Sequence, residues 1–264
     1  DMNRYPTLTK ILGAHGIEWL KTILRGLNNS DTIPSISFLL QGQRRSMLRL
    51  LSLSDVVFTS TMSEFKRIHQ WSKPQGKSLL EKHQVIPLGV SSLFINTPIN
   101  KKERSGLLMV GRLEFLKNQH TVINWANKHN WPLTVVGAAN KNQKRYAHYC
   151  NSIAGPTVTF LAHQDEDEVL KLMDQHCCLV IPSLFETYSL VGWEAAARGL
   201  SVVANDSADM SESLASVANL IPIENEKDFV AAIEAGLTEQ KKSQVQFENY
   251  TWDHISARIN RAYR

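Results

Sequence analysis

Short apolar runs alternate with helical patterns along the last two thirds of the chain. Each run is long enough for one buried strand, and several end at a glycine or a proline. The predicted strands cover residues 107–112, 133–136, 158–161, 179–181, 200–204 and 220–223, and helical patterns run through residues 122–126, 144–153, 169–175, 190–198 and 226–237. Strands that alternate with helices in this way predict a parallel, doubly wound α/β sheet.

The first third of the chain shows the same alternation. We predict strands at residues 9–14 and 55–60 and helices at residues 19–27, 42–53 and 64–71. The polar stretch 96–105 has the composition of a linker. We therefore expect a first domain over residues 1–95 and a second over residues 96–249.

Residues 179–205 predict a strand, a loop, a helix and a second strand within one short segment. Ser189 is a candidate N-cap for this helix, and Gly199 is placed to end it in a left-handed conformation. The loop follows the carboxyl end of a strand, where open α/β sheets bind ligands. The backbone amides of residues 188–190 begin the helix, and such amides favour an anion such as a phosphate.

Two carboxylates frame this loop, Glu186 before the helix and Glu194 within it. Their spacing alone carries little weight, because Glu226 and Glu234 repeat it without a preceding strand and loop. The strand, the loop and the helix start therefore distinguish the first pair as a candidate ligand site.

Composition places the chain among globular proteins. Its 264 residues suffice for one large domain or two ordinary ones, and no apolar run approaches the roughly 20 residues of a membrane span. The first ten residues are mixed and polar, unlike a secretory signal. The three cysteines form no spaced pairs, which argues against a disulfide framework or a zinc site. We expect a cytoplasmic protein.

Positive charge is concentrated in the first part of the chain. Residues 1–100 carry 12 Lys+Arg and 6 Asp+Glu, whereas the whole chain has a net charge of +4. Such a surface suits peripheral contact with an anionic membrane at its inner face, an acidic acceptor or simple solvation, and all three interpretations stay open. The basic residues are scattered and not interleaved with aromatics, which argues against nucleic acid as a partner.

The stretch PSLFETYSLVGWEAAARGLSVVAN, residues 182–205, resembles the donor site of GT-B glycosyltransferases, specifically the retaining family 4 enzymes. The resemblance implies that Glu186 lies against the transferred sugar and that Glu194 binds the ribose of the nucleotide. It also implies that the amides of Tyr188, Ser189 and Leu190 hold the diphosphate. Ser189 stands where the family usually has glycine.

GRLEFLKNQ, residues 111–119, resembles the family's Gly-Arg-Leu step, in which a lysine follows the arginine by five residues. Gly111, Arg112 and Lys117 are therefore candidate donor-binding residues. A guanidinium and an ammonium can stabilise the charge that a departing diphosphate gains, without a metal. Either cation alone would be an ordinary surface residue, although the helix dipole disfavours cations at a helix start.

Resemblance extends to the rest of the fold. It implies a GT-B architecture of two Rossmann-like, doubly wound domains, the first of them truncated, with a closing helix in residues 250–264 that returns to the first domain. His15 resembles the histidine that faces the transfer site, while an ordinary strand-end histidine remains the alternative. Residues 205–213 are expected to be a loop, with Glu212 in the place of a family glutamate but without the family's glycines.

The sequence thus predicts a retaining transferase that moves a sugar from a nucleotide diphosphate sugar to an acceptor hydroxyl on a glycan, a lipid-linked sugar or a glycolipid. We expect no cofactor and no metal, since the acidic run 165–168 suits a helix start better than a metal site. A non-catalytic module that binds nucleotide sugars is the alternative. A GT-B epimerase or glycoside phosphorylase fits the motifs less well.

Overall fold

The computed structural model describes residues 36–72, 82–99, 103–238 and 245–263, together with Gly16 and Leu20. His15 and the elements predicted at residues 9–14 and 19–27 lie outside this part of the chain. Of the described helices, none is long and apolar enough to cross a membrane.

The described elements follow the predicted alternation. The helices are α1 Ile36–Leu53, α2 Met62–Ser72, α3 Ser92–Asn96, α4 Gln119–His129, α5 Lys144–Ile153, α6 Glu166–Gln175, α7 Leu190–Ala197, α8 Ala208–Leu214, α9 Glu226–Thr238 and α10 Trp252–Ala262. The strands are β1 Val57–Thr59, β2 His83–Val85, β3 Leu107–Val110, β4 Leu133–Val136, β5 Val158–Leu161, β6 Cys178–Ile181, β7 Ser201–Asn205 and β8 Asn219–Ile221. Short 3₁₀ turns occupy Phe115–Lys117, Lys141–Gln143 and Phe247–Tyr250.

The chain forms two compact units. The first comprises Asp1–Val57 and Arg67–Gln84, and within it α1 is longer than the pattern at residues 42–53 predicted. The second comprises Phe58–Lys66 and Val85–Arg264, which includes the larger sheet. The domain boundary near residue 95 and the return of the closing helix stay predictions.

Six parallel strands form the sheet of the second unit, in the order β5-β4-β3-β6-β7-β8. The chain runs outward from β3 to β5, then crosses back and continues from β6 to β8 on the other side of β3. This order confirms the predicted doubly wound fold. The direction of winding reverses between β3 and β6, so ligands are expected at the carboxyl ends of these two strands.

Both faces of the sheet are buried against helices. Side chains alternate between the faces along each strand: Leu108 and Leu179 point to one core, and Leu107 and Cys178 to the other. The first core is completed by residues of α3, α6, α7 and α8, such as Phe94, Met173, Trp193 and Met210, and the second by residues of α4, α5 and α9, such as Ile123, Cys150 and Phe229. Apolar runs without alternation are typical of strands buried on both faces.

Residues 205–213 are not the loop that we expected from the family resemblance. Helix α8 begins at Ala208, with Ser207 as its N-cap, and buries Met210 and Leu214 in the first core. The apolar side chains four residues apart explain the helix, because they lie on one face. Glu212, on the opposite side, accepts hydrogen bonds from the amides of Met62 and Ser63 at the start of α2.

A buried arginine ties α7 to the segment that precedes β3. Arg198 is fully buried, and its guanidinium donates to both carboxylate oxygens of Asp174, at 3.0 and 2.7 Å. The same guanidinium donates to the carbonyls of Phe94, Thr97 and Pro98. A buried charge requires such partners, so this cluster fixes where α7 lies relative to residues 94–98.

Candidate functional site

A crevice opens at the point where the winding of the sheet reverses. Strands β3 and β6 pair only at Leu107 with Cys178 and Leu108 with Leu179, and their carboxyl ends beyond these pairs form no ladder. The crevice there has about 330 Å³ of empty volume, counting the space that is open to solvent. Its walls are formed by Met109, Val110, Gly111, Lys117, Gln119, Val135, Val180, Ile181, Pro182, Ser183, Glu186 and Val191.

Two glycines let the loops after β3 and β4 touch at this edge. Gly111 and Gly137 have φ angles of 154° and 143°. A Cβ atom on Gly137 would lie 2.0 Å from the carbonyl oxygen of Gly111, which no side chain can tolerate. Glycine at residue 137 therefore allows the loop after β4 to pack directly against the backbone of residues 111–112.

Lys117 and Glu186 form an ion pair at the crevice. Lys117 comes from the 3₁₀ turn after β3 and Glu186 from the loop after β6, so the fold brings together residues 69 positions apart. The Lys117 ammonium contacts Glu186 Oε2, and the Ser183 hydroxyl lies 3.5 Å from the same oxygen. The two side chains are only 24% and 17% exposed, which leaves the charges accessible from one side.

Two hydrogen bonds hold the lysine turn against the glutamate loop. The Leu184 amide donates to the Leu116 carbonyl at 2.8 Å, and Asn118 Nδ2 donates to the Pro182 carbonyl at 3.2 Å. Asn118 has a φ of 55°, a left-handed conformation that asparagine tolerates better than most residues. The sequence prediction missed Asn118, although an asparagine directly before a helix is a signal for such a turn.

Arg112 lies apart from the ion pair. Its side chain is 63% exposed, and its guanidinium lies 3.2 Å from the Glu114 carboxylate. Its backbone carbonyl accepts a hydrogen bond from Gln119 Nε2 at 2.7 Å. The structure thus places the Arg112 backbone at the crevice, while the side chain lies on the surface beside Glu114.

Helix α7 begins beside the glutamate loop. Ser189 occupies the predicted N-cap position and is only 3% exposed, but its hydroxyl makes no capping hydrogen bond. Tyr188 is buried too, and burial raises the pKa of its phenol. The first amides of a helix have no partner within it, so those that follow Ser189 remain available for an anion.

Glu194 lies one turn into α7 and is largely buried. Burial raises the pKa of its carboxyl to about 7, and the nearby Glu166 carboxylate adds to the rise. Among the described residues, none donates a hydrogen bond to this carboxyl group. Near neutral pH it therefore exists as a mixture of the ionised and protonated forms, poised to accept a donor from a ligand.

Replacing this carboxyl should stabilise the unliganded protein in a pH-dependent way. The folded state raises the pKa of Glu194 above its ordinary 4.5, so its contribution to the free energy of unfolding falls as pH rises from about 4.5 to 7. Glu194→Gln removes that ionisation. We expect the variant to gain on the order of 2 kcal/mol relative to the wild type at pH 8, and much less at pH 5, in urea unfolding.

Glu166→Gln provides the control for this pH dependence. The Glu166 carboxylate helps to raise the pKa of Glu194. In a Glu166→Gln background, the free energy of unfolding that Glu194→Gln gains should therefore differ less between pH 5 and pH 8. A Glu194→Gln variant whose gain does not change with pH would contradict the assignment of a raised pKa to Glu194.

The structure therefore brings Gly111, Lys117 and Glu186 to one crevice, and places Tyr188, Ser189, Leu190 and Glu194 on the adjoining loop and helix. His15 lies outside the described residues. In the described part of the chain, no three His, Cys, Asp or Glu residues are grouped so as to hold a metal ion. Asp165, from the acidic run, is instead the N-cap of α6 and accepts from the Glu168 amide at 2.9 Å.

Comparison with solved structures shows the same architecture in several proteins. Sucrose-phosphate synthase from Thermosynechococcus elongatus is 18% identical with a TM-score of 0.66, over 95% of this chain and 66% of that one. Anabaena HepE in complex with UDP and glucose is 16% identical with a TM-score of 0.68, over 88% and 70% of the two chains. An α,α-trehalose-phosphate synthase from Burkholderia vietnamiensis is 14% identical with a TM-score of 0.65, over 92% and 68%.

At these identities the likeness shows a shared fold, and it confirms the predicted GT-B class. The chain spans about two thirds of the length of these proteins. No curated protein sequence matches it. The family model for glycosyl transferases group 1 matches residues 94–254, which include the whole crevice and helix α7. The chain therefore belongs to the group 1 family of glycosyl transferases.

Proposed function

We propose that this protein transfers a sugar from a nucleotide diphosphate sugar to an acceptor hydroxyl with retention of the anomeric configuration, as in family 4. The observation that carries the proposal is the Lys117–Glu186 ion pair at the carboxyl ends of β3 and β6. A cation there suits a diphosphate and a carboxylate suits sugar hydroxyls. Family membership and the position of the crevice in a doubly wound sheet agree with this assignment.

In this proposal the nucleotide lies across the crevice with its diphosphate at Lys117 and at the first amides of α7. The Arg112 guanidinium, now beside Glu114, reaches the diphosphate once the ligand adds negative charge. Glu194 accepts hydrogen bonds from the ribose, which favours its ionised form. Its burial provides the low dielectric in which such bonds are strong.

Donor binding must rearrange the ion pair. The diphosphate competes with Glu186 for the Lys117 ammonium, and the released Glu186 carboxylate then faces the sugar. During transfer the bond between the anomeric carbon and the diphosphate oxygen breaks, and the acceptor oxygen bonds to that carbon on the face that the diphosphate leaves. The hydroxyl proton of the acceptor passes to the departing diphosphate oxygen. The nucleoside diphosphate leaves with the negative charge that Lys117 and the helix amides stabilise. No step here requires a metal or a cofactor.

The acceptor side of the reaction rests on His15, which we propose faces the reacting centre. We propose a glycan, a lipid-linked sugar or a glycolipid as the acceptor. The cytoplasmic location and the peripheral membrane contact expected from the sequence stay predictions.

The proposal is tested by titrating the protein with UDP, GDP and ADP, and then assaying release of the nucleotide from the matching sugar nucleotide. HepE was crystallised with UDP and glucose, which makes UDP-glucose the first donor to try. Binding of one nucleotide together with turnover supports transfer. Binding without turnover for any sugar and acceptor would instead favour the non-catalytic module.

A further inference from the structure

Gln119 is a buried polar residue in the crevice that the proposed mechanism does not use. It is the first residue of α4, is only 3% exposed, and lines the crevice together with Lys117 and Glu186. Glutamine is rarely buried to this extent unless both ends of its amide have partners.

Within the described part of the chain, only one end of this amide has a partner. Gln119 Nε2 donates to the Arg112 carbonyl at 2.7 Å. This bond fixes the orientation of the amide, because a carbonyl accepts from the nitrogen and would repel the oxygen. Gln119 Oε1 is buried, and none of the described residues donates to it.

A buried amide oxygen without a donor is unfavourable, because it gives up the hydrogen bonds that water makes to it in the unfolded chain. Such a group is retained in a binding site when the ligand supplies the missing donor, and binding then recovers the lost hydrogen bond. The donors that a nucleotide diphosphate sugar offers are the hydroxyls of its sugar and of its ribose and the N–H groups of its base, because its phosphate oxygens only accept. Gln119 lines the same crevice as Glu186, which the proposed function assigns to the transferred sugar, whereas the ribose is assigned to Glu194 on α7. The hydroxyls of the transferred sugar are therefore the donors that suit Gln119 Oε1.

We propose that Gln119 Oε1 accepts a hydrogen bond from a hydroxyl of the transferred sugar, and that Gln119 thereby contributes to donor-sugar specificity. This inference rests on the proposed function and adds a second sugar contact beside Glu186. The two polar atoms of the Gln119 side chain then have different roles. Nε2 positions the loop that holds the diphosphate, and Oε1 recognises the sugar.

The test compares binding of a nucleoside diphosphate with binding of its sugar conjugate by calorimetry. UDP, GDP and ADP are each titrated, and the nucleotide that binds the wild type is paired with its glucose, galactose and mannose conjugates. For Gln119→Leu we expect the affinity for the preferred conjugate to fall about tenfold more than the affinity for the free nucleotide. Gln119→Glu keeps an acceptor oxygen but loses the Nε2 donor to the Arg112 carbonyl, so we expect both affinities to fall while their ratio stays that of the wild type.

Two controls separate this role from a structural one. Gln143 lies in a neighbouring turn, with its Oε1 3.5 Å from the Phe115 amide, and Gln143→Leu should change neither affinity. Circular dichroism melting shows whether each variant is folded. Equal losses for nucleotide and conjugate in Gln119→Leu leave the ratio of the two affinities unchanged. That result would mean that Gln119 only supports the loop, and it would overturn the inference. If the wild type binds no nucleotide, the proposed function fails first, and the inference falls with it.

Discussion

Glu186→Gln is expected to lower the rate of sugar transfer by about 10²–10³-fold, the usual effect of removing one preorganised electrostatic group from an active site. The variant keeps the size of the side chain but loses the charge that we assign to the sugar. It also releases Lys117 from its ion pair. The affinity for the nucleoside diphosphate should therefore stay the same or rise while turnover falls, and initial rates together with calorimetry measure both.

Glu226→Gln is the matched control. Glu226 also pairs with a lysine, Lys128, at 3.1 Å, but both side chains are more than half exposed, and neither residue lines the crevice. Breaking that surface pair should leave transfer unchanged. Wild-type turnover in Glu186→Gln, or equal losses in the two variants, would remove Glu186 from the mechanism.

Arg198→Met is expected to destabilise the protein by about 3–5 kcal/mol, the usual cost of removing one partner of a buried ion pair. The change leaves the Asp174 carboxylate without its bidentate partner and withdraws the donor from three backbone carbonyls. Arg104, 3.7 Å from Asp174, offers only a longer contact. Urea unfolding at neutral pH measures the difference.

A second variant makes this prediction specific to the pair. Asp174→Asn alone leaves buried guanidinium charge uncompensated, so the double variant Arg198→Met/Asp174→Asn should lose less than the sum of the single losses. Arg145→Met, on the exposed face of α5, should shift the free energy of unfolding by no more than about 0.5 kcal/mol. Strict additivity would show that Arg198 and Asp174 do not act together.

The inner strands of the sheet in the second unit could be predicted from the sequence because they are buried on both faces. The apolar run at residues 133–136 coincides with β4, since Gly137 ends it abruptly. The error at residues 205–213 had a different origin. The expectation there came from the family's glycines, whereas the apolar spacing of Met210 and Leu214 in this chain already indicated a helix.

The meeting of Lys117 and Glu186 at one candidate site could be predicted from the sequence, but the contacts that they make there could not. Parallel strands bring their carboxyl ends to one edge, which is why Lys117 and Glu186 could be expected together. The details depend on the backbone: Asn118 adopts a left-handed conformation, and Ser189 reaches the N-cap position without capping. The pKa of Glu194 follows from burial by the packed helix, which spacing along the chain does not reveal.

The most direct measurement of the central claim is calorimetric titration of the wild type and of Lys117→Ala with UDP, GDP and ADP. If the crevice between β3 and β6 holds the diphosphate, one nucleotide binds the wild type, and Lys117→Ala weakens it at least about tenfold, since a charge-assisted hydrogen bond contributes about 1.5–3 kcal/mol. Lys128→Ala, which removes an exposed lysine elsewhere, should leave the affinity unchanged. Failure of all three nucleotides to bind, or equal affinity in Lys117→Ala and the wild type, would contradict the account.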